Sequence, residues 1–157
     1  MANRSIHILL VDDDDVDVRV VRRAFERQKI CNPLTVARDG VEALQRLRGE
    51  NGFEALPHPL MVLLDLNMPR MGGLQFLEHL RNDPNLHRTI VFVLTTSKAE
   101  SDREAAYDHN ISGYLVKSDA GRDLVKHMPM LENFLLCVQF PDQHQPQTTV
   151  GSSATIA

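Results

Sequence analysis

Leu60-Met61-Val62-Leu63-Leu64-Asp65-Leu66-Asn67-Met68-Pro69 carries a carboxylate to the end of an unbroken apolar run and then turns. Apolar residues in succession, without alternation, read as a strand buried on both faces, the pattern of a central strand in a parallel sheet. In an open parallel α/β sheet, ligands sit in the crevice beyond the carboxyl ends of the strands. Asp65 is delivered to that place. Alone, an Asp there does no more than start the turn before Met68-Pro69, so its weight depends on what the other strands bring to the same rim.

Upstream, Ile6-His7-Ile8-Leu9-Leu10-Val11 is another apolar run, and it ends in Asp12-Asp13-Asp14-Asp15. Asp14 or Asp15 is expected to cap the helix that follows, because an acid before a helix accepts hydrogen bonds from its free N–H groups and suits its dipole. That helix groups Val18, Val21 and Phe25, with Val16, Val20 and Ala24 beside them. Arg19, Arg22, Arg23, Glu26 and Arg27 share another face, read as solvated, with docking of an acidic partner as the alternative. Pro33 to Ala37 forms a short second strand, and Asp39-Gly40 turns into a helix carrying Val41, Leu44 and Leu47. From Gly49 to Pro59 the composition shifts to that of a loop.

Downstream of Asp65, Gly72-Gly73 opens a helix with Leu74, Leu77 and Leu80 inward, closed by Asn82-Asp83-Pro84. Thr89 to Leu94 is a further apolar strand, ending in Thr95-Thr96-Ser97. Residues 98–110 have only Ala99, Ala105, Ala106 and Tyr107 to bury, so a helix there is expected to be locally unstable, with Asn110 as a left-handed cap. Ser112 to Lys117 makes the last strand, and a long helical stretch interrupted by Pro129 runs from Asp119 to about Gln139. Residues 1–140 therefore read as one folded domain. Residues 141–157, rich in Gln, Thr, Ser and Pro, read as a flexible or disordered tail.

The 157 residues suffice for a single core, and a formal charge of −4 argues against nonspecific nucleic-acid binding, which is driven by clustered Lys and Arg. Cys31 and Cys137 lie far apart without CxxC spacing, so buried free thiols are expected rather than a disulfide or zinc site. The seven histidines show no metal-binding pattern, and no glycine-rich phosphate loop is present. Lacking a signal peptide or a spanning apolar run, the chain is expected to be cytoplasmic and without a membrane partner.

Strand and helix alternate five times, implying an α/β fold with a parallel sheet, right-handed crossovers and helices on both faces. The strand ends then bring Asp12 and Asp13, Asp65, Thr95 and Lys117 to one rim. Converging carboxylates repel one another unless a cation joins them, and all-oxygen ligands suit Mg²⁺ rather than a soft metal. With a lysine and a hydroxyl facing that cation, the constellation reads as a cradle for a phosphoryl group.

At these residues the chain resembles the receiver domain of two-component response regulators, from about Ile6 to Phe134. The intervals from Asp65 to Thr95 and from Thr95 to Lys117, the Met68-Pro69 and Gly73 loop, and Tyr114 three residues before Lys117 all agree with that family. The resemblance implies the flavodoxin-like (CheY-like) doubly wound five-stranded sheet, order 2-1-3-4-5, a topology for which the chemotaxis regulator is the standard example. It further implies that Asp65 accepts a phosphoryl group from a sensor histidine kinase. Asp13, Asp65 and the carbonyl of Asn67 would bind Mg²⁺, Asp12 would hold it through water, and Lys117 and Thr95 would bind the phosphoryl oxygens. Tyr114 would follow Thr95 inward as the switch. A departure is Ser118, where the family usually has a proline after the lysine. The Thr95-Thr96-Ser97 and Lys117-Ser118 pairs and the longer loop before the Asp65 strand resemble the single-domain regulators that partner bacterial and cyanobacterial phytochromes.

The expected role is thus that of a regulator acting by protein contact, not an enzyme. A phosphatase with an aspartate nucleophile would carry a second Asp where Asn67 stands, and an unphosphorylated interaction module would have no use for the full set of site residues. A phosphorelay shuttle passing phosphate to a histidine phosphotransfer protein is the alternative within the family. A homodimer is also expected. Leu124, Met128, Leu131 and Leu135 supply the stripe the last helix needs, whereas Phe134-Leu135-Leu136-Cys137-Val138 cover its whole circumference. Phe134, Leu136 and Val138 are therefore assigned to a subunit interface, with Pro129 expected to tilt that end away from the sheet.

Overall fold

In the computed structural model the described residues are 5–117 and 122–141. The Lys117-Ser118 bond, the helix start at Asp119 and the tail beyond Pro141 lie outside them. Elements alternate in chain order as β1 (His7–Val11), α1 (Asp15–Arg27), β2 (Leu34–Ala37), α2 (Gly40–Arg48), β3 (Leu60–Leu64), α3 (Gly73–Asn82), β4 (Ile90–Thr95), α4 (Glu100–Asp108), β5 (Gly113–Val116) and α5 (Arg122–Cys137). The strands form one parallel sheet in the order β2-β1-β3-β4-β5, with Val11 opposite Leu64 and Leu64 opposite Val93. Chain order reverses at β1, so the crevice beyond β1 and β3 is where such a fold accepts a ligand.

All of β3 is buried because alternate side chains feed two cores. Met61 and Leu63 pack with Val18, Val21 and Phe25 of α1 and with Leu124, Met128 and Leu131 of α5. Leu60, Val62 and Leu64 pack with Leu44, Leu47, Phe76, Leu77 and Leu80 of α2 and α3. Each such side chain contributes roughly 1.5–3 kcal/mol relative to exposure, so the central strand is a principal anchor of the site it carries. Phe76, fully buried, was absent from the inward set read from sequence, while Leu74 is only half-buried. Val16, expected on the apolar side of α1, is exposed.

Local chemistry sets the helix starts. The Asp14 side chain accepts from Val16 N–H and caps α1, and Asp39 does the same for α2 through Glu42 N–H. α3 starts so close to β3 that a Cβ on Gly73 would overlap the Asp65 carbonyl oxygen, which is why glycine stands there. α4 buries only Ala106 fully, and Asn110 adopts the expected left-handed conformation (φ 59°).

Three expectations change. Cys31 and Cys137 are free but exposed, because Cys31 lies in the α1–β2 connection and Cys137 on the outer side of the last turn of α5. Pro129 is exposed inside α5, and the buried stripe continues past it to Leu131, so the helix end stays on the sheet. Phe134 accordingly packs inward, edge-on to Phe92 at 4.8 Å between centroids and to Phe140 at 5.8 Å. Phe140, just past the helix, provides intramolecular cover for the Phe134 ring. Leu136 and Val138 remain exposed, at 67% and 39%. Among the described residues, no helix is long and apolar enough to cross a membrane.

Candidate functional site

Four strand ends and the first turn of α1 meet at the carboxyl edge of the sheet. Asp12 follows β1, is 1% exposed, and accepts from Asp14 N–H through Oδ1. Asp65 follows β3 and accepts at 2.8 Å from Leu66 N–H through Oδ1. The Asn67 N–H and the Thr95 hydroxyl stand near enough to the same carboxylate to favour its charged form. Thr95, fully buried at the end of β4, also accepts from Ser97 N–H at 3.3 Å. Lys117, just beyond β5, places Nζ 2.8 Å from Asp12 Oδ2, 2.8 Å from Asp17 Oδ2 and 3.8 Å from Asp65 Oδ2.

Burial pushes the Asp12 and Asp65 carboxyls above the usual carboxylate range, against the pull of Lys117. For Lys117, burial works to lower the pKa, but its hydrogen bonds to Asp12 and Asp17 and the charge of Asp65 raise it overall. Asp12 and Lys117 shift the same way, whereas an isolated ion pair would depress its acid. For Asp12 the cost of burying the charge outweighs the pull of Lys117, and the neighbouring Asp65 charge adds a smaller push in the same direction.

One oxygen each of Asp12, Asp17 and Asp65 lies within 4.8 Å of the others. All-oxygen donors at this density, with only one lysine against them, suit a hard divalent cation. Asp13, the expected direct ligand, is exposed and stands outside that group, while Asn67 is exposed on the loop after Asp65. The structure thus brings together Asp12, Asp65, Thr95 and Lys117 as expected, and adds Asp17. Tyr114 is half-buried on β5, and its hydroxyl donates to Ser97 O at 2.9 Å.

Asp17 was passed over among five aspartates in one short stretch. Its signal was its place one helical turn before buried Val21, on the inward side of α1. A second missed feature lies beside the pocket. Arg70, at φ 61°, donates from Nε to Asp39 Oδ2 at 2.7 Å, and Gly40 N–H donates to Met71 O at 3.0 Å. A Cβ on Gly40 would crowd Met71, so a glycine there lets the loop after Asp65 lie against the start of α2.

A doubly wound parallel sheet with a buried acid at the end of β3, flanked by a strand-end lysine, hydroxyl and second acid, defines a receiver module. The profile of the response regulator receiver domain matches residues 8–129, and the chain belongs to that family, acting in two-component signalling. Response regulator Rcp1 of Synechocystis sp. is 38% identical over 129 residues, covering 82% of this chain and 88% of that protein. The phosphorylated cyanobacterial phytochrome response regulator RcpA superimposes with a TM-score of 0.79 at 33% identity, covering 87% of this chain and 99% of that one. The Mn²⁺-bound form of Rcp1 gives the same TM-score at 37% identity, with 87% and 99% coverage.

Proposed function

We propose that Asp65 accepts a phosphoryl group from the phosphohistidine of a sensor histidine kinase, in a Mg²⁺-dependent reaction, and that the phosphorylated chain signals by protein contact rather than by turning over a substrate. The observation that carries this reading is the placement of Asp65. Its Oδ1 is tied to a backbone N–H while Oδ2 faces the pocket and Lys117. An Asp65 oxygen attacks phosphorus, the phosphorus–nitrogen bond to the imidazole breaks with its electron pair going to nitrogen, and an acyl phosphate remains on Asp65. Lys117 and the Thr95 hydroxyl are placed to donate to the new phosphoryl oxygens. Asp12 and Asp65, with Asp13 and the Asn67 carbonyl at the rim, would hold Mg²⁺, which supplies charge neutralisation at the transferring group.

RcpA is a cyanobacterial phytochrome response regulator and the similar RtBRR a bacteriophytochrome response regulator, and a kinase of that class is the proposed donor. Transfer from an autophosphorylated phytochrome-type kinase, followed by radiolabel, tests the reading. Label should pass to the wild type with Mg²⁺, and neither to Asp65→Asn nor in the presence of a chelator. Transfer to both proteins would place the acceptor elsewhere.

A homodimer is proposed on narrower grounds than the sequence offered. Phe134 is engaged within the chain, which leaves Leu136 and Val138 as exposed apolar residues at the end of α5, and Leu136 borders a hollow of about 300 Å³ lined by Ile6, Ile30 and Leu135 together with Lys29, Asn32 and Glu132. Light scattering should find a dimer that Leu136→Asp dissociates. A monomeric wild type at tens of micromolar would end this proposal.

A further inference from the structure

Lys117 is shared unequally. Its ammonium makes two short ion pairs, with Asp12 from the end of β1 and Asp17 from the first turn of α1, and stands a full ångström farther from Asp65. At 3.8 Å the Asp65 contact is too long for a hydrogen bond, so the phosphoacceptor's outward oxygen lacks a direct lysine hydrogen bond. We propose that Asp17 is a positioning residue that competes with Asp65 for Lys117, before phosphoryl transfer and after it. This rests on Asp65 being the phosphoacceptor.

The argument follows from what each partner does to a nucleophile. A carboxylate oxygen bonded directly to an ammonium has its electron pair engaged, and it must give up that charge-assisted bond to attack phosphorus. Asp12 alone would leave Lys117 two free N–H groups, and Asp65 is the nearest further carboxylate to receive one. Asp17 takes one of those donors and keeps the ammonium on the α1 side of the pocket. It is well placed to do so: α1 is fixed by the Asp14 cap and by buried Val18 and Val21, so its first turn does not drift. Once an acyl phosphate forms, its added negative charge sits in front of Lys117, and Asp17 then pulls against the bond that holds the phosphoryl group. The same carboxylate thus favours loading and shortens the loaded state.

Asp17→Asn is nearly isosteric and keeps a hydrogen-bond acceptor while removing the charge; Asp17→Ala removes both. With acetyl phosphate and Mg²⁺, both variants should load Asp65 more slowly than wild type, by about threefold to tenfold, as expected for a lysine released onto the nucleophile. Their acyl phosphates should last longer by a similar factor, and beryllofluoride should bind them more tightly. Melting curves establish that both variants fold. Opposed changes in loading rate and lifetime are the signature, because a general loosening of the pocket would lower both. Unchanged rates and beryllofluoride affinity, or a faster decay, in variants that fold would overturn the proposal. A wild type that takes no phosphoryl group on Asp65 would instead remove the reading on which it rests.

Discussion

The Tyr114 hydroxyl donates to the Ser97 carbonyl oxygen at 2.9 Å, which fastens the β5 ring to the segment leaving β4. Ser97 is held from the other side as well. Its N–H donates to the Thr95 hydroxyl oxygen at 3.3 Å, and its own hydroxyl donates to Asp102 of α4 at 2.6 Å. A Thr95 hydroxyl drawn toward a phosphoryl group therefore pulls on the residue that touches both Tyr114 and α4. Because α4 buries only Ala106 fully, little packing resists its rearrangement. Hydrogen exchange with and without beryllofluoride should differ most across residues 97–117. Equal exchange there in the two states would remove this coupling.

A second prediction separates the two neighbouring acids. Asp12 is buried, and the cost of burying its charge, with repulsion from Asp65 on the order of 1 kcal/mol at intermediate dielectric added to it, outweighs the pull of its ion pair with Lys117. Asp12→Asn should raise the melting temperature of the metal-free protein by about 3–5 °C. Asp13 is exposed and outside that group, so Asp13→Asn should leave the metal-free melting temperature nearly unchanged while abolishing the rise that Mg²⁺ gives the wild type. Thermal denaturation of both variants with and without Mg²⁺ decides the matter. A full Mg²⁺ response in Asp13→Asn would transfer the ligand role to Asp17.

The third prediction follows the Asp39–Arg70 contact through pH. Burial works to raise the Asp39 carboxyl, but its bonds from Arg70 and from the α2 N–H groups hold it below the usual carboxylate range overall. A lowered folded-state pKa means stability that is present above the unfolded value of 3.8 and lost as pH falls through the lower folded value. The Arg70 side chain is 62% exposed, so solvent screening limits its share to about 1 kcal/mol or less. Urea titrations at neutral pH and near pH 3 should find Arg70→Gln slightly less stable than wild type at neutral pH, with the gap closing in acid. A gap that widens in acid would reverse the assigned sign.

The fold was readable because its signals are local. The unbroken apolar runs of β1, β3 and β4 mark strands covered on both faces, and a capping acid precedes α1 and α2. The strand-end residues Asp12, Asp65, Thr95 and Lys117 could be placed on one rim because a parallel sheet puts every strand's carboxyl end on the same side. What escaped depends on contacts between distant segments. Asp17 reaches Lys117 across most of the chain, and Arg70 reaches Asp39 only because Gly40 admits the loop. Arg81 gives no local sign that its guanidinium donates to the carbonyls of His87, Thr89, His109 and Asn110, joining α3 to both ends of the β4–α4 unit. The packing of Phe134 escaped for the same reason: helical periodicity assigns it to a side of α5, but only the fold and the return of Phe140 show what its ring meets within the chain.

The central claim is that Asp65 is the phosphoacceptor. Intact-protein mass spectrometry after incubation with acetyl phosphate and Mg²⁺ tests it most directly, on the wild type and on Asp65→Asn in parallel. The wild type should gain the mass of one phosphoryl group, lose it on treatment with hydroxylamine as an acyl phosphate does, and gain nothing when Mg²⁺ is chelated, while Asp65→Asn stays unlabelled. Equal labelling of the two proteins would contradict the account.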